Sequence, residues 1–285
     1  MMARLEKFRA FIAAQTGIAL DADRYYMVDT RLLPVMRANK IALLDTLLDQ
    51  AMAGTDTALT QSVIEAMLTC ETFFFRDRPV FQVFREEILP EMMAARQNTR
   101  RLRIWCAAAS TGQEPYSLAM ILDENASVLK GWQVEIVATD ISASALEIAR
   151  SGFYNQFEVQ RGLPVTQLLR YFVREQDRWR IAEHLRSRIE FNQLNLKKDF
   201  RYIGDFDIIF CRNVLMYFDT DTKRDILGRM SDAVADDGWL LLGATENTSG
   251  LAKDLVPDIR IPAGYRPRNH ASASGRVLKM MPMRA

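Results

Sequence analysis

Four stretches of the 285-residue chain place small or polar residues directly after an apolar run. An open α/β sheet presents its ligand-binding groups at that position. The first run, RIWCA at 103–107, is followed by Ala-Ala-Ser-Thr-Gly-Gln-Glu-Pro-Tyr-Ser, where small side chains and Gly112 let the backbone approach a ligand closely. The second, EIVAT at 135–139, leads into Asp140, whose carboxylate can accept both hydroxyls of a ribose; an Asp capping a helix that starts near Ser142 explains it equally well. The third run is followed by Asn195 and Leu196, the fourth by Arg212 and Asn213. An amide beside an apolar wall suits a heterocyclic base, although Asn after a strand is also an ordinary turn residue. Glu114, just past Gly112 in the first turn of the next helix, is favoured there by the helix dipole. The same carboxylate repels a phosphate and attracts an ammonium or a sulfonium. The stretch lacks the Gly-x-Gly-x-x-Gly fingerprint of dinucleotide sites, so the set tilts toward S-adenosylmethionine.

The elements needed to hold these residues are legible as alternating textures. Apolar β-type runs at 103–107, 135–139, 189–192, 207–211 and 239–243 alternate with helical patterns at 114–122, 143–150 and 220–235, which predicts five parallel strands with crossover helices. Between 153 and 188 the period breaks into short β-like pieces, and a small antiparallel insertion is expected. Residues 5–68 read as helices with apolar residues at i, i+3, i+4, such as Leu5, Phe8 and Ile12. Within them Thr60 looks like the N-cap of a helix over 61–68. Residues 69–81 fit no period and read as a buried hinge, and 81–93 resumes a helix. The expected organisation is an N-terminal helical domain plus linker over 1–95 and an α/β domain over 96–285, with the insertion at 153–188. The tail from Arg266 carries basic residues and no acid, which fits a solvated tail or last edge strand better than a binding arm.

Composition narrows the class further. Hydrophobic residues make up 49% and charged residues 26%, which excludes collagen, coiled coil and disorder. A net charge of +1 gives no global field to gather nucleic acid or an anionic membrane. Cys70, Cys106 and Cys211 are odd in number and widely spaced, which argues against disulfides or a zinc site and for a reducing cytoplasm. Neither a signal peptide nor a membrane span is apparent.

Five strings in order, ETFFFRD at 71–77, WCAAASTGQEPYS at 105–117, ATDIS at 138–142, FCRNVLMYFD at 210–219 and GATEN at 243–247, resemble the chemotaxis receptor methyltransferases, the CheR family. The resemblance covers roughly residues 20–250. It implies an S-adenosylmethionine-dependent enzyme that esterifies glutamates in the cytoplasmic helical bundle of chemoreceptors. The implied fold is a helical domain packed over a Rossmann-like methyltransferase domain with a small β-subdomain. Carried over motif by motif, the cofactor contacts are Cys70, Thr72, Arg76, Glu114, Asp140, Asn195, Leu196, Arg212 and Asn213. Arg76 and Tyr217 fall at the methyl-transfer centre, and Arg31 and Arg37 lie on the helix expected to face the substrate. For Arg76 the plain alternative is a salt bridge with Asp77 or Glu71; for Tyr217 it is a core aromatic. The run 73–75 is expected to pack so as to position Thr72 and Arg76. His184 and His270 are given no role, and no metal, nucleic acid or membrane insertion is expected of a protein read as a cytoplasmic monomer.

Three departures from the family pattern matter. Cys70 stands where members usually have Asn, and a thiol is a poor donor, so at most about 1 kcal/mol of cofactor binding is forfeited. Pro34 and Val35 thin a stretch of 24–40 that is more basic in typical members. Residues 169–188 contain no glycine, whereas members that grip a receptor's C-terminal pentapeptide have a glycine-bearing loop there; no such tether is expected. The competing readings are a CheR-like module that binds S-adenosylmethionine or its product without catalysis, and a methyltransferase for nucleic acid or a small molecule. The latter predicts a broad basic patch or an Asn-Pro-Pro-Tyr-like pocket, and Cys-Arg-Asn-Val stands after the fourth strand instead.

Overall fold

The computed structural model describes residues 2–20 and 26–268, so His270 and most of the basic tail lie outside the described residues. The chain divides into two compact units, one ending at Cys70 and taking back Tyr217–Thr222, the other holding Glu71–Met216 and the chain from Lys223 onward.

The first unit is helical, with α1 (Met2–Thr16), α2 (Tyr26–Ala38), α3 (Leu44–Ala53) and α4 (Thr57–Met67). The 3.6-residue spacing puts Leu5, Phe8 and Ile12 of α1 in one core with Leu32, Leu47, Leu48, Val63 and Met67. The cap expected at Thr60 is corrected: Asp56 caps α4, its carboxylate accepting the Leu59 N–H at 3.0 Å. Thr60 lies inside the helix, where its hydroxyl donates to the Ala51 carbonyl at 3.1 Å. An Asp just ahead of Thr57 satisfies the orphan N–H groups one turn earlier than a Thr could. Residue 217 returns to this unit, the Ala19 N–H donating to the Tyr217 carbonyl at 2.8 Å, beside a β-bridge between Ile18 and Phe218.

The second unit opens on the irregular hinge. Phe74 and Phe75 are buried; Phe74 meets Tyr154 at 5.1 Å and Phe172 at 5.5 Å, and the Phe75 N–H donates to Ser117 Oγ at 3.0 Å. The helix that follows starts at Arg78, earlier than 81, because Pro79 is well placed in a first turn. It runs through α5 (Arg78–Val83), a π-helical turn at Phe84–Ile88 and α6 (Leu89–Ala95). Phe84 and Phe81 pack on Phe210 of the sheet at 5.7 and 6.5 Å, so this helix groups with the sheet, whereas the sequence places it in the linker.

The sheet itself is built from β1 (Arg101–Ala107), α7 (Gln113–Glu124), β2 (Gln133–Asp140) and α8 (Ala143–Ser151), and continues after the insertion. The insertion comprises β3 (Phe153–Tyr154), α9 (Gln156–Gln160), α10 (Val165–Tyr171), β4 (Phe172–Glu175), β5 (Arg178–Ile181) and α11 (Glu183–Arg186), with an antiparallel sheet in the order β3-β5-β4. The remaining elements are β6 (Ile189–Gln193), β7 (Phe206–Cys211), α12 (Thr220–Ala233), β8 (Val234–Leu242), β9 (Leu255–Pro257) and β10 (Gly264–Pro267). The strand order is β6-β2-β1-β7-β8-β10-β9. The first five are parallel, as expected, and β10 and β9 add two antiparallel strands that the sequence reading lacks. The order reverses between β1 and β7, which makes their carboxyl ends the switch point of a Rossmann-like sheet. No described helix is long and apolar enough to cross a membrane.

Candidate cofactor site

In the second unit the hinge, the first turn of α7 and the end of β7 meet around one buried cation. Arg212 directly follows β7, and its side chain is 1% exposed. Its Nη1 donates to Glu114 Oε2 at 2.6 Å, and its Nη2 to Asp77 Oδ2 at 2.8 Å and to the Arg76 carbonyl at 2.7 Å. One guanidinium thus ties the hinge, the start of α7 and the end of β7 together. Glu114 is nearly buried, and burial pushes its carboxyl above the ordinary value although the charges of Arg212 and Arg76 oppose the shift. Arg76 pairs with neither carboxylate considered for it. Asp77 goes to Arg212, Glu71 goes to Arg161, and Arg76 donates to the Glu71 carbonyl at 2.8 Å. Thr72 is half-buried in the same hinge.

The turn between β1 and α7 is bent tightly, with Ala108, Ser110 and Gly112 at φ of 62°, 52° and 94°. A side chain at Gly112 would be strained there, and its Cβ would lie 2.8 Å from that of Ala149, so α7 and α8 close together only over a glycine. Asp140, at the end of β2, accepts the Ser110 N–H on Oδ2 at 2.7 Å and the Ser142 N–H on Oδ1 at 2.9 Å. It therefore holds the turn, and it is not the helix cap. That role falls to Ser142, whose hydroxyl accepts the Ala145 N–H at 3.1 Å. Asn195 is half-buried past β6, its Oδ1 accepting the Lys197 N–H at 2.9 Å, and Leu196 is buried. Asn213 sits at φ 58°.

The other expected residues lie in the helical unit. Arg31 donates from Nη1 to the carbonyls of Met67 and Leu68 at 2.7 and 3.1 Å and from Nη2 to Thr69 Oγ1 at 2.9 Å, so its guanidinium is engaged at the end of α4. Arg37 is exposed in the last turn of α2. Tyr217 is half-buried in the short turn Leu215–Tyr217, and Cys70 is half-buried and in no disulfide.

Two residues outside the expected set hold its loops. Arg229 on α12 donates to the carbonyls of Leu196 and Lys198 at 2.8 and 2.7 Å while its guanidinium lies 4.4 Å over the Phe200 ring. Glu246, in the loop after β8, accepts the N–H groups of Asn213 and Gly243 on Oε2 at 2.7 and 2.9 Å and that of Met216 on Oε1 at 3.3 Å. The GATEN string pointed to Glu246, but two of its three partners are 30 and 33 residues away. Arg229 carried no signal in the sequence.

The residues present suit a ligand with a cationic end and a nucleoside end. A nearly buried carboxylate sits in the first turn of α7, a second is fixed at the end of β2, and an amide with an apolar neighbour follows β6. Arg212 Nε is buried and finds no acceptor among the described residues, an orphan that a ligand oxygen would satisfy. Among the described residues no cluster of His, Cys, Asp or Glu fits a metal ion.

Comparison with known proteins agrees with this arrangement. Residues 3–68 match the CheR methyltransferase all-alpha domain, and residues 70–260 match the CheR methyltransferase SAM binding domain. The chain is 42% identical to chemotaxis protein methyltransferase 1 of Pseudomonas aeruginosa, over 87% of this chain and 92% of that protein. It is 40% identical to chemotaxis protein methyltransferase Cher2 of Pseudomonas putida, over 86% and 90%. Against the chemotaxis protein methyltransferase of Salmonella typhimurium the figures are 36%, 89% and 86%. With both domains matched in order and relatives 36–42% identical over most of its length, the chain belongs to the CheR family of S-adenosylmethionine-dependent methyltransferases.

Proposed function

We propose that the protein methylates glutamate side chains in the cytoplasmic helical bundle of chemoreceptors, forming glutamyl methyl esters. The observation that carries this reading is the Arg212 hub. It fixes the carboxylate of Glu114 where a cationic cofactor is favoured, and the scheme calls on no general base. None is needed, because a substrate Glu with a pKa near ~4.3 is ionised at neutral pH. The bound cofactor supplies an electrophilic methyl group on a sulfonium. A substrate carboxylate oxygen would accept that methyl, with the electron pair of the S–CH3 bond left on sulfur as S-adenosylhomocysteine. The chain's own work is binding and approach. Glu114 attracts the positive end, Asp140 meets the ribose, Asn195 and Leu196 flank the base, and Arg212 and Asn213 complete the pocket. Thr72 and Cys70 lie in the hinge stretch, where a thiol is a weaker donor to the cofactor than an amide. Arg76, whose guanidinium pairs with no carboxylate among the described residues, orients the incoming carboxylate within about 3–3.5 Å of the methyl carbon. In the helical unit Arg37 offers an exposed charge to an acidic helix.

The β4–β5 turn is made without glycine, Gln176 taking the positive φ of 57°, which supports recognition without a pentapeptide tether. The test is transfer of radiolabelled methyl from S-adenosylmethionine to a chemoreceptor cytoplasmic fragment, followed by mild alkali. Label released as methanol establishes the ester. Tight cofactor binding with no transfer to any receptor fragment would overturn the reading in favour of a non-catalytic module.

A further inference from the structure

We infer that Glu246 is a positioning residue for the cofactor, acting through the loop that carries Asn213. Its carboxylate is buried and collects three backbone N–H groups, from Asn213, Gly243 and Met216. These belong to the end of β7 and the end of β8, neighbouring strands beside the switch point. Asn213 is a non-glycine residue at φ 58°, a conformation that costs energy unless something holds it, and the 2.7 Å bond to Oε2 holds it. The seat has been cleared for this contact. A Cβ on Gly243 would lie 2.7 Å from Glu246 Oε2 and 2.9 Å from the Asn213 nitrogen. Glu246 itself touches no reacting atom in this scheme; it presets the direction in which Asn213 faces the cofactor. The inference rests on Asn213 being a cofactor contact, as proposed above.

The strong bonds both fall on Oε2 and the long one on Oε1, which makes the conservative variant informative. Glu246→Gln can place its amide oxygen at the Oε2 position and forfeit only the 3.3 Å bond to Met216. Glu246→Asp keeps the charge but is one methylene short of the Asn213 N–H. The experiment is calorimetric titration of the full chain with S-adenosylhomocysteine, for Glu246→Gln, Glu246→Asp, Glu246→Ala, Asn213→Ala and the double variant Glu246→Ala/Asn213→Ala. The expected result is that Glu246→Ala and Glu246→Asp each raise Kd about tenfold, the scale of one lost hydrogen bond to a charged group, while Glu246→Gln stays within about threefold. The double variant is expected to be no weaker than Asn213→Ala alone by more than about threefold, because both act on one contact. Should Glu246→Ala fail to fold, Glu246→Asp against Glu246→Gln decides. Wild-type affinity in Glu246→Asp, or additive losses in the double variant, overturns the inference. Wild-type affinity in Asn213→Ala instead removes Asn213 from the site, a separate failure.

Discussion

Replacing Arg212 by Met tests the central claim about the site, because the substitution keeps the volume and removes the charge. In the native protein the guanidinium is 1% exposed and bonds Glu114, Asp77 and the Arg76 carbonyl. Without it Asp77, with a third of its side chain exposed, can turn to water, but Glu114, 12% exposed, is left as a buried charge with no partner at its hydrogen-bonding distance. Removing one member of such a buried pair costs about 3–5 kcal/mol. The loss has a signature in pH. Burial already raises the Glu114 carboxyl, and taking away the opposing cation raises it further. A carboxyl whose folded pKa lies above its unfolded value is favoured protonated, so its stabilising contribution is complete below the unfolded value and is lost as pH rises through the folded one. The gap between variant and wild type should therefore widen with pH, by at most about 1.4 kcal/mol per pH unit in the window between their two Glu114 values. Urea unfolding of both proteins between about pH 5.5 and pH 8 measures this directly. A loss under about 1 kcal/mol, unchanged across that range, would mean that the hub does not carry the site.

The cofactor should feel the same carboxyl. Affinity for S-adenosylmethionine is expected to fall as pH drops through the raised Glu114 value, whereas Glu114→Gln binds more weakly and with a flat profile in calorimetry; equal slopes for the two proteins would detach Glu114 from the cation. Asp140→Ala should weaken cofactor binding about tenfold or more, since it removes the ribose acceptor and releases the turn held through Ser110. Unchanged affinity would remove Asp140 from the site. In the helical unit, Arg31→Ala should lower stability by about 1–2 kcal/mol in denaturant titration, because its three bonds close the end of α4, while Arg37→Ala should leave stability unchanged and slow only receptor methylation. A stable Arg31→Ala protein with impaired methylation would return Arg31 to the substrate surface.

What could be read in advance follows from burial. The five parallel strands are short runs buried on both faces, and their apolar signal located each to within about two residues at the end that carries the site. Strands β9 and β10 contain Pro257, Gly264 and Pro267, which blur a strand pattern, and β3 is only a dipeptide. The Asp56 cap lost to Thr60 because a polar residue before an apolar stretch is ambiguous by one turn. At the site, residue types at strand ends were visible but pairings were not. Arg212 reaches back 98 residues to Glu114 and 135 to Asp77, and Glu246 reaches 33 to Asn213; such distances leave no local trace in a chain.

The return of Tyr217–Thr222 to the helical unit sets an order of events during synthesis. When Cys70 leaves the ribosome all four N-terminal helices exist, yet the Ile18 bridge and the Ala19 N–H still lack Phe218 and the Tyr217 carbonyl. At translation rates of about 5–20 residues per second, roughly 150 further residues take about 8–30 s. Over that interval the nascent helical unit waits with an open edge, and β1, β2, β6 and β7 are made before it can close. The helices precede the sheet in the message and are finished after much of it, so a fragment ending at residue 70 would encode a unit permanently missing its last piece.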